Sequence, residues 1–172
     1  MSPRQKEPIT YEHALLGFLI ESPMHAYALH VALVQSPLGA VWHLKQSACY
    51  AMIARLAAEE MLDTGSEDDA RGKRALTITP HGYACFRQWC VTPVPHPRDM
   101  RIEFLAKLYF ATSISPTERR MLIAAQHHQI AYWYPKNTPS HGFHHDVFTY
   151  RRGQIDAIAA WLAQLLTHAD DL

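Results

Sequence analysis

Residues 47–83, SACYAMIARLAAEEMLDTGSEDDARGKRALTITPHGY, carry in order an amphipathic helix pattern, a hairpin pattern with a basic tip, and the start of another helix. This order constrains the fold strongly, because a helix followed by a hairpin must bury its apolar stripe against other elements of the chain. It is the order of the recognition helix and wing in a winged helix-turn-helix, and it predicts a mostly α (α+β) fold. On the helix, Cys49, Met52, Ile53 and Leu56 recur at three- and four-residue steps and form the buried stripe. Ser47, Tyr50, Ala51 and Ala54 lie opposite. An ordinary surface helix would carry Glu and Lys there, so the small and hydroxyl-bearing face suits close contact with a groove or, alternatively, with another subunit.

The net charge is zero, from 16 basic and 16 acidic residues, and by itself argues only weakly for nucleic acid. The distribution argues more. Arg71, Lys73 and Arg74 cluster at the wing tip behind Glu67, Asp68 and Asp69, while Lys45 and Arg55 flank the helix. A few phosphate contacts per subunit, doubled by a two-fold dimer, would give salt-dependent binding. A solvated turn of mixed charge is the competing reading of the tip.

Upstream, a helix over about 10–20 carries Ala14, Leu15, Phe18 and Leu19, with Thr10 as its cap. A second over about 24–35 carries Tyr27, Ala28, Val31 and Val34 along one face, and Pro37 and Gly39 close it. After the wing, Thr79 and Pro80 suit the N-cap and first position of a fourth helix bearing Tyr83, Phe86, Trp89 and Cys90. Residues 91–97, VTPVPHP, then predict an extended linker. The division places a winged helix-turn-helix domain at 1–92 and an all-helical C-terminal dimerisation domain at 98–172.

In the second domain Ile102, Leu105, Leu108, Tyr109 and Thr112 define one helix. Ser115, Pro116 and Glu118 form a capping box that opens the next, along which run Met121, Leu122, Ala125, His128 and Tyr132. In the last helix, over about 144–168, Ile155, Ile158, Leu162, Leu165 and Leu166 form a heptad-like seam that calls for a partner, either a two-fold mate or the rest of the chain.

Other classes find little support. No apolar run approaches the roughly 20 residues of a membrane span, and the N-terminal residues lack a secretory pattern, so a cytoplasmic protein is expected. Three cysteines, Cys49, Cys85 and Cys90, are read as free thiols. A phosphate loop, a nucleophile elbow and a catalytic carboxylate pair are all missing from the sequence, so no enzyme is predicted. Among the histidines His127, His128, His141, His144 and His145 no neighbouring pair makes a two-ligand face, since adjacent helical residues diverge by about 100°, although His141 and His145 would if the last helix began earlier. Neither metal nor cofactor is predicted.

The chain resembles the PadR family of transcriptional regulators in four segments: HALLGFLIESPMHAYAL, GAVWHLKQSACYAMIARLAAEEML, RALTITPHGYACFRQW and PRDMRIEFLAKLYFA. These lie within residues 13–111, and the remaining helices suit the branch with a long helical C-terminal domain. The resemblance implies a homodimer, usually a repressor of an operator, released by a small effector of which phenolic acids are the best-known class. It departs at Ala26, where many members have glycine, and at Met61, where the recognition helix typically ends in glycine.

By motif position the resemblance makes His25, Tyr27, Gln46, Ser47, Tyr50, Lys73 and Arg74 the expected DNA contacts. Gln46 is the candidate base reader, since a carboxamide can bond bidentately with adenine, while Lys73 and Arg74 suit phosphate or a minor groove. For an effector, Trp42, His43, Tyr109, Tyr132, Trp133 and Tyr134 are candidate aromatic walls, with Arg101 or His128 facing a carboxylate; plain core packing is the alternative for each aromatic. A winged helix used only for protein docking, or an activator of the same fold, remains open.

Overall fold

The computed structural model describes residues 10–65, 74–136 and 141–168. The chain divides into two compact units, 1–89 and 90–172. Among the described residues no helix is long and apolar enough to cross a membrane.

Unit 1 is a winged helix. It runs α1 (Thr10–Glu21), β1 (Met24–His25), α2 (Ala26–Gln35), a 3-10 turn (Pro37–Ala40), α3 (Gln46–Ala58), β2 (Leu62–Asp63), β3 (Ala75–Ile78) and α4 (Pro80–Val91). The strands form an antiparallel sheet in the order β1-β3-β2, with Met24 opposite Leu76, His25 opposite Ala75, and Leu62 opposite Ile78. α1 packs on α2, α3 and β3. The buried side chains Leu15, Leu16, Leu29, Leu33, Leu56 and Phe86 make its core, and their removal from water is the main source of its stability.

The α3 stripe is as the spacing predicts: Cys49, Met52, Ile53 and Leu56 are buried. The face of α2 is not. Leu29 and Leu33 are buried, whereas Tyr27 and Val34 are exposed. AYALHVALVQ is apolar nearly all round, so its period permits more than one stripe and packing selects the leucines; Met24 and His25 are drawn into a strand, and the helix starts two residues later. Thr10 lies inside α1 rather than before it.

At the end of α3 the residue with left-handed backbone is Glu60, φ 56°, while Met61, which stands where the family resemblance would place a glycine, is buried. Met61 N–H bonds the Leu56 carbonyl at 2.9 Å and Glu60 N–H the Ala57 carbonyl at 3.1 Å, the two bonds of a Schellman cap with Glu60 in the place usually held by glycine. Thr79 joins this cap to α4. Its hydroxyl donates to the Glu60 carbonyl at 2.7 Å and accepts from Gly82 N–H at 3.0 Å, the expected N-cap bond. Gly82 is required there: a Cβ would stand 2.0 Å from the Met61 carbonyl oxygen.

Unit 2 contains a 3-10 turn (Pro97–Arg101), α5 (Glu103–Ile114), α6 (Pro116–Ile130) and α7 (Phe143–His168). α6 packs against both α5 and α7 around Val94, Met100, Phe104, Leu122, Ile123, Ile130, Ile155 and Leu162. The Ser115 hydroxyl caps α6 by accepting from Thr117 and Glu118 N–H, as its sequence predicts.

The proline-rich segment is not a free tether. α4 runs through Val91, and three buried side chains from unit 2 then hold the backbone. Lys107 Nζ donates to the Thr92 carbonyl at 2.8 Å, the Gln126 amide binds Val94, and Trp133 Nε1 donates to the Pro95 carbonyl at 2.7 Å. Prolines lower the entropy lost when such a segment is fastened.

Helix faces in unit 2 also differ from the period-based expectation. In α5, Phe104, Ala106, Lys107, Phe110 and Ala111 are buried, while Ile102 is exposed and Leu105, Leu108 and Tyr109 are half-buried. Lys107 enters the interior because Glu103, at 2.8 Å, and the Thr92 carbonyl satisfy its ammonium. In α6, Met121 and His128 are exposed, and Tyr132 lies beyond the helix end. The α7 seam packs inside the chain: Ile155 and Leu162 are fully buried, with Ile158, Leu165 and Leu166 against the same core.

Candidate nucleic-acid interface

The exposed face of α3 is built at its first turn. His30 on α2 reaches the Leu44 carbonyl at 3.0 Å through Nε2, holding the segment that leads into α3. Gln46, Ser47, Tyr50, Ala51 and Ala54 are all exposed. Gln46 Nε2 donates to the Tyr50 hydroxyl at 2.8 Å, one turn along the same face. This bond uses one amide hydrogen and leaves the other, with Oε1, for an edge that offers both an acceptor and a donor.

The sheet brings His25 to the same unit's wing. Its Nδ1 donates to the Arg74 carbonyl at 3.0 Å, so the imidazole braces the root of the wing. Arg74 is exposed beside β3, and Tyr27 is exposed at the first turn of α2. Lys73, Arg71 and the acidic run 67–69 lie outside the described residues.

Arg55 departs from its expected role as a charge flanking the recognition helix. Its Nε donates to Glu12 Oε1 at 2.6 Å, and the Glu12 carboxylate is buried on α1. The guanidinium therefore ties α3 to α1, a partnership that no local pattern announces because 43 residues separate the two.

The proposed effector residues are divided between the two units. Trp42 and His43 fall in unit 1, and Arg101, Tyr109, His128, Tyr132, Trp133 and Tyr134 in unit 2. Trp42 is core, its ring 4.7 Å from that of Tyr11, and its indole N–H is buried without a hydrogen-bond partner among the described residues. Trp133 is buried and committed to the Pro95 carbonyl. His128 and Tyr132 meet edge to face, with ring centroids 5.9 Å apart, on the exposed side of α6. Tyr109 packs edge-on against Phe110, while His43 and Arg101 are exposed. Tyr134 donates its hydroxyl to Asp156 at 2.7 Å, and this carboxylate raises the phenol's pKa. A concavity that the sequence did not suggest is lined instead by His96, Pro97, Arg98, Arg151 and Gln154. More than 50 residues separate its two walls, and no motif links them.

The thiols are separated by burial. Cys49 is fully buried, and loss of solvent pushes its pKa from 9.0 up to about 11. Cys85 is partly exposed, with Sγ 3.8 Å from His13 Nε2. Among the described residues no three His, Cys, Asp or Glu side chains gather as a metal-binding group.

No protein-family model matches the chain. Among curated proteins, it is 26% identical over 117 residues to the negative transcriptional regulator PadR of Bacillus subtilis, a match covering 67% of this chain and 64% of that protein, just under two thirds of its length. Among solved structures, it is similar to Bacillus subtilis PadR in complex with operator DNA, at 23% identity over 94% of this chain and 99% of that one, with a TM-score of 0.46. The same protein in complex with p-coumaric acid gives the same values. A PadR-like transcriptional regulator of Bacillus cereus is 17% identical over 98% of this chain and 99% of that one, also with a TM-score of 0.46. The similarity to this curated relative agrees with the resemblance read from the four sequence segments.

Proposed function

We propose that the protein is a sequence-specific DNA-binding regulator of transcription, acting as a homodimeric repressor that a small effector releases. The observation that carries this reading is the exposed face of α3, where a carboxamide and a hydroxyl, Gln46 and Tyr50, are held together by a 2.8 Å bond among small side chains. Such a face fits the major groove, and Gln46 would read adenine through N6 and N7. His25, Tyr27, Ser47 and Tyr50 would position the helix, with Lys73 and Arg74 gripping phosphate or the minor groove from the wing.

Dimerisation is supported by apolar side chains that unit 2 leaves in water. Met121, Tyr132, Phe143 and Tyr150 are 58%, 72%, 77% and 67% exposed, more large apolar surface than a lone helical unit would keep. Because the α7 seam is used internally, the two-fold mate would pack on these residues instead. Repression is favoured by the curated relative, itself named a negative regulator. The effector, with phenolic acids as the first class to try, follows from the family resemblance.

Fluorescence anisotropy on DNA upstream of the protein's own gene, against a scrambled fragment across a salt series, tests the reading. A preference of about a hundredfold is expected. Gln46→Ala should lower that preference, whereas Lys73→Ala and Arg74→Ala should weaken both fragments alike and flatten the salt slope. Equal, weak binding to this and to other promoter fragments would overturn the reading in favour of a protein-docking winged helix. A reporter fused to the bound promoter would distinguish repression from activation.

A further inference from the structure

We infer that Tyr50 is a positioning residue for base readout: its hydroxyl fixes the carboxamide of Gln46 so that α3 accepts adenine and rejects guanine at one base pair of the site. The inference rests on the regulator reading and adds to it the residue that sets selectivity. Gln46 Nε2 donates to the Tyr50 hydroxyl at 2.8 Å, across one turn of α3. Residues four apart are neighbours on a helix surface, whereas Ser47, one residue on, does not face Gln46. The other side chains of this exposed face, Ala51 and Ala54, have no polar atoms, so within α3 the amide is held from Tyr50.

Both ends of the pair stand on fixed backbone. Tyr50 lies between the buried Cys49 and Met52, so packing sets its Cα, and its ring turns about only two side-chain bonds. Below Gln46 the first turn is pinned twice: Cys49 N–H donates to the Lys45 carbonyl at 3.0 Å, and His30 Nε2 holds the Leu44 carbonyl at 3.0 Å. An exposed glutamine alone samples many rotamers and loses that freedom on docking. Joined to Tyr50, Gln46 is ordered before DNA arrives, and less entropy is spent on binding.

Hydrogen-bond complementarity then selects the base. In the major groove adenine shows an acceptor, N7, beside a donor, N6, while guanine shows two acceptors, N7 and O6. A free carboxamide has two amide hydrogens and can turn its amino group toward either purine. Tyr50 takes one of these hydrogens, which leaves one donor beside one acceptor, the complement of adenine. Guanine would set O6 against Gln46 Oε1, two acceptors with no hydrogen between them, and a desolvated contact of that kind disfavours the wrong partner. The Tyr50 hydroxyl keeps its own hydrogen for a phosphate oxygen, which ties the reading pair to the DNA backbone.

Selection of bound duplexes from a random-sequence DNA pool by the full chain, followed by sequencing, measures base preference at every position of the site. Wild type should show a position where adenine is favoured over guanine about tenfold or more, and Gln46→Ala should erase that preference. Tyr50→Phe, which keeps the ring and removes only the hydroxyl, should cut the preference at the same position at least about threefold. In the Gln46→Ala background Tyr50→Phe should change nothing further there, because Tyr50 acts through Gln46. A ratio of preferences does not depend on the fraction of protein folded, so a destabilised variant does not imitate this result. If Tyr50→Phe weakens all sequences alike or alters a different position, Tyr50 is an independent contact and the inference is overturned while the regulator reading stands. A selected site in which no position depends on Gln46 overturns it in the same way. Failure of the wild-type chain to select any sequence removes the regulator reading, and this inference with it.

Discussion

The Gln126 amide closes a two-point hydrogen bond on Val94: Oε1 accepts the Val94 N–H at 2.7 Å, and Nε2 donates to the Val94 carbonyl at 3.2 Å. Both residues are fully buried. A side chain of α6 thus takes the place of a neighbouring strand for a segment too rich in proline to enter a sheet. Gln126→Leu keeps the volume but strands a buried donor and acceptor, so unfolding free energy should fall by about 1–3 kcal/mol in urea titration. A loss below about 0.5 kcal/mol, the level of an ordinary surface change, would show that the clamp does not hold the segment.

Arg55→Ala should act on stability rather than on DNA. It deprives the buried Glu12 carboxylate of its guanidinium. Because half of the Arg55 side chain is in water, at 49% exposure, the cost should be about 1–3 kcal/mol rather than that of a fully buried pair. The slope of DNA affinity against salt should match wild type, whereas a slope reduced by about one unit would restore Arg55 as a phosphate contact.

Glu60→Gly should stabilise the protein. Glu60 holds a left-handed conformation that costs an L side chain but not glycine. Gains of about 0.5–1 kcal/mol are typical where glycine enters such a cap, less the entropy it restores to the unfolded chain. A lower melting temperature for the variant would show that the Glu60 side chain contributes more than its backbone costs.

Cys49 should be chemically silent and should make stability fall at high pH. The folded thiol ionises at about 11 against an ordinary 9.0, so the fold favours the neutral form. That contribution is fully present below pH 9 and is lost as pH rises through about 11. Relative to Cys49→Ala, wild-type stability should be level up to pH 9 and decline above it. Labelling at pH 8 should modify Cys85 and spare Cys49; rapid loss of the Cys49 thiol would contradict its burial.

Sequence alone determined the elements whose signals are local: the α3 stripe of Cys49, Met52, Ile53 and Leu56, the Thr79 and Ser115 caps, and the hairpin that defines a winged helix. Each depends on spacing within one or two turns, which the order of residues encodes directly. Tertiary structure decided the rest. In α2 and α5, apolar residues lie all round the helix, so only packing selects Leu29 and Leu33 over Tyr27 and Val34, or Phe104 and Phe110 over Ile102. It also decided that Arg55 pairs with Glu12, that Gln126 and Trp133 clamp the proline-rich segment, and that His96 and Arg98 stand across a concavity from Arg151. The partners of a charge or a carbonyl many residues away follow from which surfaces meet when the core closes, and no local periodicity records that choice.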